Sequence, residues 1–228
     1  MNLWTLVIIL AAATVVELFL ALFVWLFGCH GIDRTRHPEE WKDKGSSGER
    51  IIQLMLIQKL KIPENQIFRN LYIPKPNGET SEIDILVLSK KGIFVFECKN
   101  YSGNIYGDGR RRKWIQYLGR TKSYFLNPFL QNDGHIQSLK LYLAKFGDVP
   151  IVSIVSTITC GNWKVKNLRP GDYLLGYNCH FMDIYGNMPD SEIMAQHWDA
   201  INKLILGFSD ASDDIKAQHI VDIQNHHK

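Results

Sequence analysis

Residues 82–100, EIDILVLSKKGIFVFECKN, set two apolar, β-branched runs on either side of a Lys-Lys-Gly turn, the pattern of an antiparallel hairpin. Three ionisable residues, Asp84, Glu97 and Lys99, interrupt the runs. A carboxylate in an apolar strand is costly to bury unless it is paired or holds a cation, so their presence points to chemistry before packing. Side chains alternate along a strand, which puts Glu97 and Lys99 on one face with Ile93 and Val95, and Phe94, Phe96 and Cys98 on the other. If the loop is Lys90 and Lys91 alone, Ser89 faces Gly92 and Asp84 faces Glu97. A three-residue loop with Gly92 in the left-handed region shifts that register by one and then needs a bulge to restore it.

The 228 residues suffice for one sizeable domain and an appendage. The appendage is residues 3–27, nearly continuous hydrocarbon broken by Thr5, Thr14 and Glu17, and longer than the roughly 20 residues that cross a bilayer. We expect a transmembrane helix over 1–29 that uses 3–27 to meet the lipid. A cleaved signal peptide wants a basic start, and no Lys or Arg precedes the run; the Leu26-Phe27-Gly28-Cys29 stretch fits a lipoprotein box poorly for the same reason. Arg34, Arg36, Lys42 and Lys44 follow the span, which places the body on the cytoplasmic side of a single-pass protein of the cell membrane. Glu17 is expensive at that depth unless protonated or paired in a helix dimer, and so admits a homo-oligomer. All 26 Lys and Arg lie outside the run, leaving a mildly basic body that suits a polyanion without requiring one. Cys29, Cys98, Cys160 and Cys179 have no paired metal spacing and read as free thiols of a reducing compartment.

Residues 30–44 form a polar juxtamembrane linker with Gly31 and Pro38. Ile51, Leu54, Met55 and Leu60 then recur at helical spacing, and Ser46 with Glu49 fits a capping box, a purely structural use of that carboxylate. Strands are expected over 66–73, 82–89 and 93–99. The stretch 101–118 reads as an excursion from the sheet, with one possible strand at 114–118. Asn127-Pro128 starts a second helix running to about residue 146, with Leu130, Leu139, Tyr142, Leu143 and Phe146 on its buried side. Gln131 and His135, four apart, share a face. A buried strand follows at 151–159, another at 174–184, and a helix at 191–208 capped by Asp190 or Ser191. Residues 211–228 give a weaker helix or a tail.

The core order is thus helix, strand, strand, strand, helix, strand, an α/β class in which Glu49, Asp84 and Glu97-Cys98-Lys99 fall in succession. Two acids within reach of each other repel unless protonated or bridged by a cation, and hard oxygen donors suit Mg²⁺ or Mn²⁺. A lysine on the same face adds charge stabilisation or a proton acceptor, completing the parts for metal-assisted phosphodiester hydrolysis.

Four stretches in order, Gly45-Ser46-Ser47-Gly48-Glu49, Glu82-Ile83-Asp84, Glu97-Cys98-Lys99-Asn100 with Gly103, and Asn127-Pro128-Phe129-Leu130-Gln131, resemble the motifs of the nuclease-related domain (NERD) family of the PD-(D/E)xK nuclease superfamily. The resemblance covers 45–159 and leaves 160–228 as a C-terminal extension. It implies a restriction-endonuclease-like αβββαβ core with a mixed sheet flanked by helices. It further implies Asp84, Glu97 and the Cys98 carbonyl as metal ligands, Lys99 as the catalytic lysine, Glu49 as a support through water, and Gln131 as a positioner of substrate or water. Ile83 stands where the superfamily's name has proline. The function so implied is a membrane-anchored nuclease acting on nucleic acid, DNA foremost. The rival is a catalytically silent membrane-tethered module that binds nucleic acid or protein, and a third reading is a membrane scaffold joined through the Glu17 helix. Arg110, Arg111, Arg112 and Lys113 with Trp114 suit phosphates and a stacked base, or equally a solvated hairpin tip beside a core tryptophan.

Overall fold

The computed structural model describes residues 44–58, 60–157, 162–176, 181–209, 215, 217–219 and 221. The expected membrane span, residues 30–43 of the expected linker and most of 211–228 lie outside them, and Lys44, the last residue of that linker, begins a helix. Among the described residues no helix is long and apolar enough to cross a membrane. The elements are α1 (Lys44–Gln58), β1 (Ile67–Pro74), β2 (Thr80–Ser89), β3 (Gly92–Lys99), β4 (Asn104–Asp108), β5 (Lys113–Leu118), β6 (Thr121–Leu126), α2 (Pro128–Leu143), β7 (Ile151–Thr157), β8 (Asn162–Lys166), β9 (Asp172–Leu175), α3 (Phe181–Asn187) and α4 (Glu192–Ser209). They make a mixed α/β fold with two mixed sheets.

The main sheet has the order β1-β2-β3-β7-β9. Its first three strands are antiparallel neighbours, and β3, β7 and β9 run parallel. Ser89 pairs with Gly92, so the hairpin loop is Lys90 and Lys91 alone. Gly92 is obligatory here: its φ is +146°, and a Cβ on it would lie 2.6 Å from the Pro150 carbonyl oxygen, the acceptor of the Ile93 N–H. That close approach ties the hairpin to the start of β7. Leu86, Leu88, Ile93 and Val95 pack under α2 and α4, whereas Ile85, Val87, Phe94 and Phe96 pack against α1 and α3. Both faces are therefore covered, which is why these strands read as near-continuous apolar runs.

The alternation breaks at one place. Phe68, Leu71 and Ile73 in β1, and Ile83 and Leu86 in β2, all belong to the cluster under α2, although a regular strand would send 68 and 71 to opposite faces. Between them Asn70 has φ +51°, and the Asn70/Asp84 pair is missing from an otherwise constant register. A matched break in both strands changes which face each strand presents without shifting the pairing.

The second sheet, β6-β5-β4-β8, was not anticipated beyond the single strand at 114–118. Its inner face covers a small cluster of Ile105, Trp114, Phe129 and Val155, too few apolar residues in 101–126 for a clear period. Gly107 permits it: a Cβ there would meet the Trp114 ring at 2.6 Å.

Other expectations need correction. Residues 174–184 are not one strand: β9 ends at Leu175 and Phe181–Asn187 is helical, because Phe181 and Tyr185, one turn apart, both pack on Phe94. Ser46 lies inside α1 and so cannot cap its start. Leu130 is 38% exposed rather than on the buried side of α2. The α4 cap is Ser191, whose hydroxyl oxygen accepts from the Met194 N–H.

Candidate active site

The β2/β3 ladder ends at the Ile85/Phe96 pair. Beyond it the strands no longer bond to each other through their main chains, and the side chain of Asp84 takes over: Oδ2 accepts from the Cys98 main-chain N–H at 2.7 Å. A strand N–H points in the sheet plane, so the Asp84 carboxyl sits between the strands rather than on the α2 face where simple alternation puts it. The break at Asn70 is what allows this. Burial, the neighbouring Glu97 charge and Glu49 on α1 raise its pKa well above the ordinary value against the opposing Cys98 N–H and Lys99.

Glu97 is 1% exposed and faces α2. Lys99 Nζ lies 2.5 Å from its Oε1 and His135 Nε2 lies 3.1 Å from its Oε2. Burial alone would lift this carboxyl, but His135 and Lys99 outweigh it and hold the pKa below the usual value. The reverse holds for Lys99: burial pulls it down, Glu97 pulls it up further, and the net is a firmly protonated ammonium. Burial, aided by the carboxylates of Asp84 and Glu49, pushes the Cys98 thiol up and out of nucleophile range.

Helix α2 delivers His135. Asn127 caps it by accepting from the Phe129 N–H at 3.0 Å, and its amide donates to Arg111 and Gly109 carbonyls. One turn in, the buried Asn132 amide donates to the Val95 carbonyl and the Ser153 hydroxyl, each at 3.0 Å. This pins α2 to β3 and β7 and fixes its roll. His135 then places Nε2 on Glu97 and Nδ1 on Ser81 Oγ at 2.8 Å. Ser81 points this way because the Asn70/Asp84 break put the odd residues of β2 under α2.

Glu49 approaches from α1, 3.6 Å from the Arg69 guanidinium, whose other nitrogen reaches the Gln53 carbonyl oxygen. The structure thus brings Glu49, Asp84, Glu97, Cys98 and Lys99 to one electrostatically coupled place. Gln131 is half-buried on the same face of α2 as His135, and no hydrogen bond or ion pair among the described residues links it to Asp84, Glu97 or Lys99. Sequence reasoning gave His135 no role; its i,i+4 relation to Gln131 was the available signal. Ser81 and Arg69 carried none.

The basic run divides. Arg110 is 73% exposed and pairs through both Nε and Nη2 with Asp108; Arg111, Arg112 and Lys113 are exposed. Trp114 is 1% exposed, its indole N–H donating to the Asp108 carbonyl, so it cannot stack a base. An inward position in β5, opposite the Phe125 of β6, is the reason.

Among the described residues no three His, Cys, Asp or Glu side chains gather as a metal cluster. The donor set nevertheless fits a hard cation in kind: two carboxylates and the carbonyl at Cys98 are all oxygen ligands. Asp84 in particular is short of positive charge, since its nearest charged neighbours include two acids.

A family model described as Nuclease-related domain (NERD) matches residues 44–158. An uncharacterized protein of Bacillus anthracis is 28% identical over 190 residues, covering 83% of this chain and 87% of that one. No solved structure matches. The matched segment runs from α1 with Glu49, through the Asp84 strand and the Glu97/Lys99 pair, to α2 and the end of β7, half of the sequence and all of the constellation described above, and on that ground the chain belongs to the nuclease-related domain family.

Proposed function

We propose that the protein is a metal-dependent nuclease that hydrolyses phosphodiester bonds in DNA, held at the cytoplasmic face of the membrane by residues 3–27. The observation that carries the reading is the convergence of Asp84, Glu97 and Lys99 where β2 and β3 part, with Asp84 held by the Cys98 N–H. The order α1, β1–β3, α2, β7 supports a restriction-endonuclease-like αβββαβ core, with β4–β6 as the excursion.

In this reading Asp84, Glu97 and the Cys98 carbonyl would hold Mg²⁺ or Mn²⁺, and the ion would supply Lewis-acid polarisation of the phosphoryl group and activation of water. Lys99 Nζ, an ammonium, balances charge that develops on the phosphoryl oxygens. His135 orients Glu97 through Oε2 and is itself fixed by Ser81. Glu49 adds negative field from α1, and Gln131, half-buried on the His135 face of α2, is assigned the positioning of substrate or water. Arg111, Arg112 and Lys113 meet phosphates. The second reading, a silent nucleic-acid- or protein-binding module, draws on one feature: Lys99 and His135 occupy both oxygens of Glu97.

Incubating the purified full chain with plasmid and linear DNA separates the two. Cleavage that requires Mg²⁺ or Mn²⁺ and stops with EDTA is expected; no cut product under any of these conditions leaves the silent module. The anchor is tested by carbonate extraction of membranes and by protease treatment of intact cells. The chain should stay in the pellet and its body should survive, and release by carbonate or digestion from outside overturns the assignment.

A further inference from the structure

The two faces of the second sheet differ in character. Inward go Ile105, Trp114, Phe125 and Trp163. Outward, the strand registers line up a cross-sheet row of Lys164, Tyr106, Ile115 and Tyr124, and beside it a row of Asn162, Asn104, Tyr117 and Lys122. Tyr106 is 41% and Tyr124 58% exposed. Lysines lie over these rings: Lys122 Nζ is 5.0 Å from the Tyr124 centroid and 5.9 Å from that of Tyr117, and Lys164 Nζ is 5.6 Å from Tyr106. Tyr106 and Tyr117 meet edge to face at 5.7 Å. At one end the face opens into a cleft of about 420 Å³ whose lining includes Arg111, Lys113, Lys164 and Lys166. The acid on this face, Asp108, is already matched by Arg110 and Asn167.

We propose that this outer face binds a single strand of nucleic acid, with bases stacked on Tyr106 and Tyr124 and phosphates met by Lys122, Lys164 and Lys166. Lys164 and Lys122 lie over one side of Tyr106 and Tyr124, and each ring, still exposed, gains by covering its remaining surface with another flat apolar one, which a base offers on every nucleotide. The surrounding ammonium groups suit a polyanion. Duplex DNA meets the charge but hides its base faces in the stack, so the tyrosines select a single strand. The sheet that carries this face follows the site directly in the chain: β3 ends at Lys99 and β4 begins at Asn104, five positions on and so at most about 18 Å away. The proposal takes its ligand class from the nuclease reading and gives it a strandedness.

Binding is measured by fluorescence anisotropy on the full chain in detergent micelles, in EDTA so that no cleavage intervenes, with labelled oligothymidine of about 20 nucleotides and a duplex of equal length. Wild type is expected to prefer the oligothymidine by at least about tenfold, and Tyr106→Ala/Tyr124→Ala to lose at least about tenfold for it while changing less than about threefold on the duplex. Tyr106→Phe/Tyr124→Phe, which keeps the rings, should bind as wild type. Lys164→Ala/Lys166→Ala should flatten the logarithmic salt slope by about 0.7 per lysine. Equal affinity for the two forms, or an oligothymidine affinity that the alanine pair leaves unmoved, overturns the proposal; the second outcome is also the one a surface for anionic lipid would give. A protein that binds in this way and never cuts overturns the nuclease reading alone, and one that cuts while the tyrosine pair is silent overturns this inference alone.

Discussion

Asp84→Asn and Lys99→Met are each expected to lower metal-dependent cleavage by roughly 10³-fold or more, the scale on which a charged group facing the reacting centre acts. The two losses differ in their structural side effects, and that difference is part of the prediction. Asparagine at 84 still offers an oxygen to the Cys98 N–H, and it removes a carboxylate that burial, Glu97 and Glu49 all disfavour in its charged form. Its thermal midpoint should therefore equal or exceed that of the wild type. Methionine at 99 fills the volume of the lysine stem but strips Glu97 Oε1 of its ammonium, leaving a buried carboxylate held by His135 alone. A lowered midpoint should accompany the lost activity, since removing one member of a buried pair strands the other. Scanning calorimetry beside plasmid relaxation reads both. Variants that cut as fast as the wild type, or an Asp84→Asn protein that is destabilised along with its activity, would sink the assignment of these groups to catalysis.

What the sequence disclosed and withheld follows from which forces act locally. The hairpin was legible and its register came down to two alternatives, of which the Ser89/Gly92 pair selects the two-residue loop; the α2 and α4 starts were legible because Asn127 and Ser191 satisfy backbone donors that helix geometry always exposes. The approach of Glu97 to Lys99 followed from period-two alternation alone. Asp84 was placed beside Glu97 for a simpler reason than the real one. The expectation was a cross-strand pair on one face, whereas the carboxyl lies between parted strands and bonds to main chain. Nothing in the residues 82–100 signals this, since its cause is a left-handed Asn70 on the neighbouring strand. The second sheet escaped for want of apolar content: its inner face needs only a few large side chains, and its outer tyrosines blur the alternation. The same ambiguity left Trp114 open between stacking a base and packing in the core, because each face of KWIQYL carries an aromatic ring; the fold buries it.

His135→Ala is expected to cost about 10–100-fold in cleavage, the range seen when a group that orients a metal-binding side chain is removed. The histidine touches no substrate in the proposed mechanism; it acts through Glu97 as a positioning residue. With Nδ1 on Ser81 and Nε2 on Glu97, the ring is held at both ends, and α2 cannot roll to release it because Asn132 binds main chain and side chain of two strands. Loss of the ring leaves Glu97 free to follow Lys99, so the Mg²⁺ concentration for half-maximal cleavage should rise by about tenfold, with the maximal rate falling less. Glutamine at 135 can place an amide donor near the former Nε2 position and should restore most of the metal response, whereas leucine, similar in volume but without a donor, should not. That contrast distinguishes positioning from packing. If alanine, leucine and glutamine all shift the metal response equally, in proportion to a common drop in thermal midpoint, His135 is a structural residue and Glu97 owes its orientation to Lys99 alone.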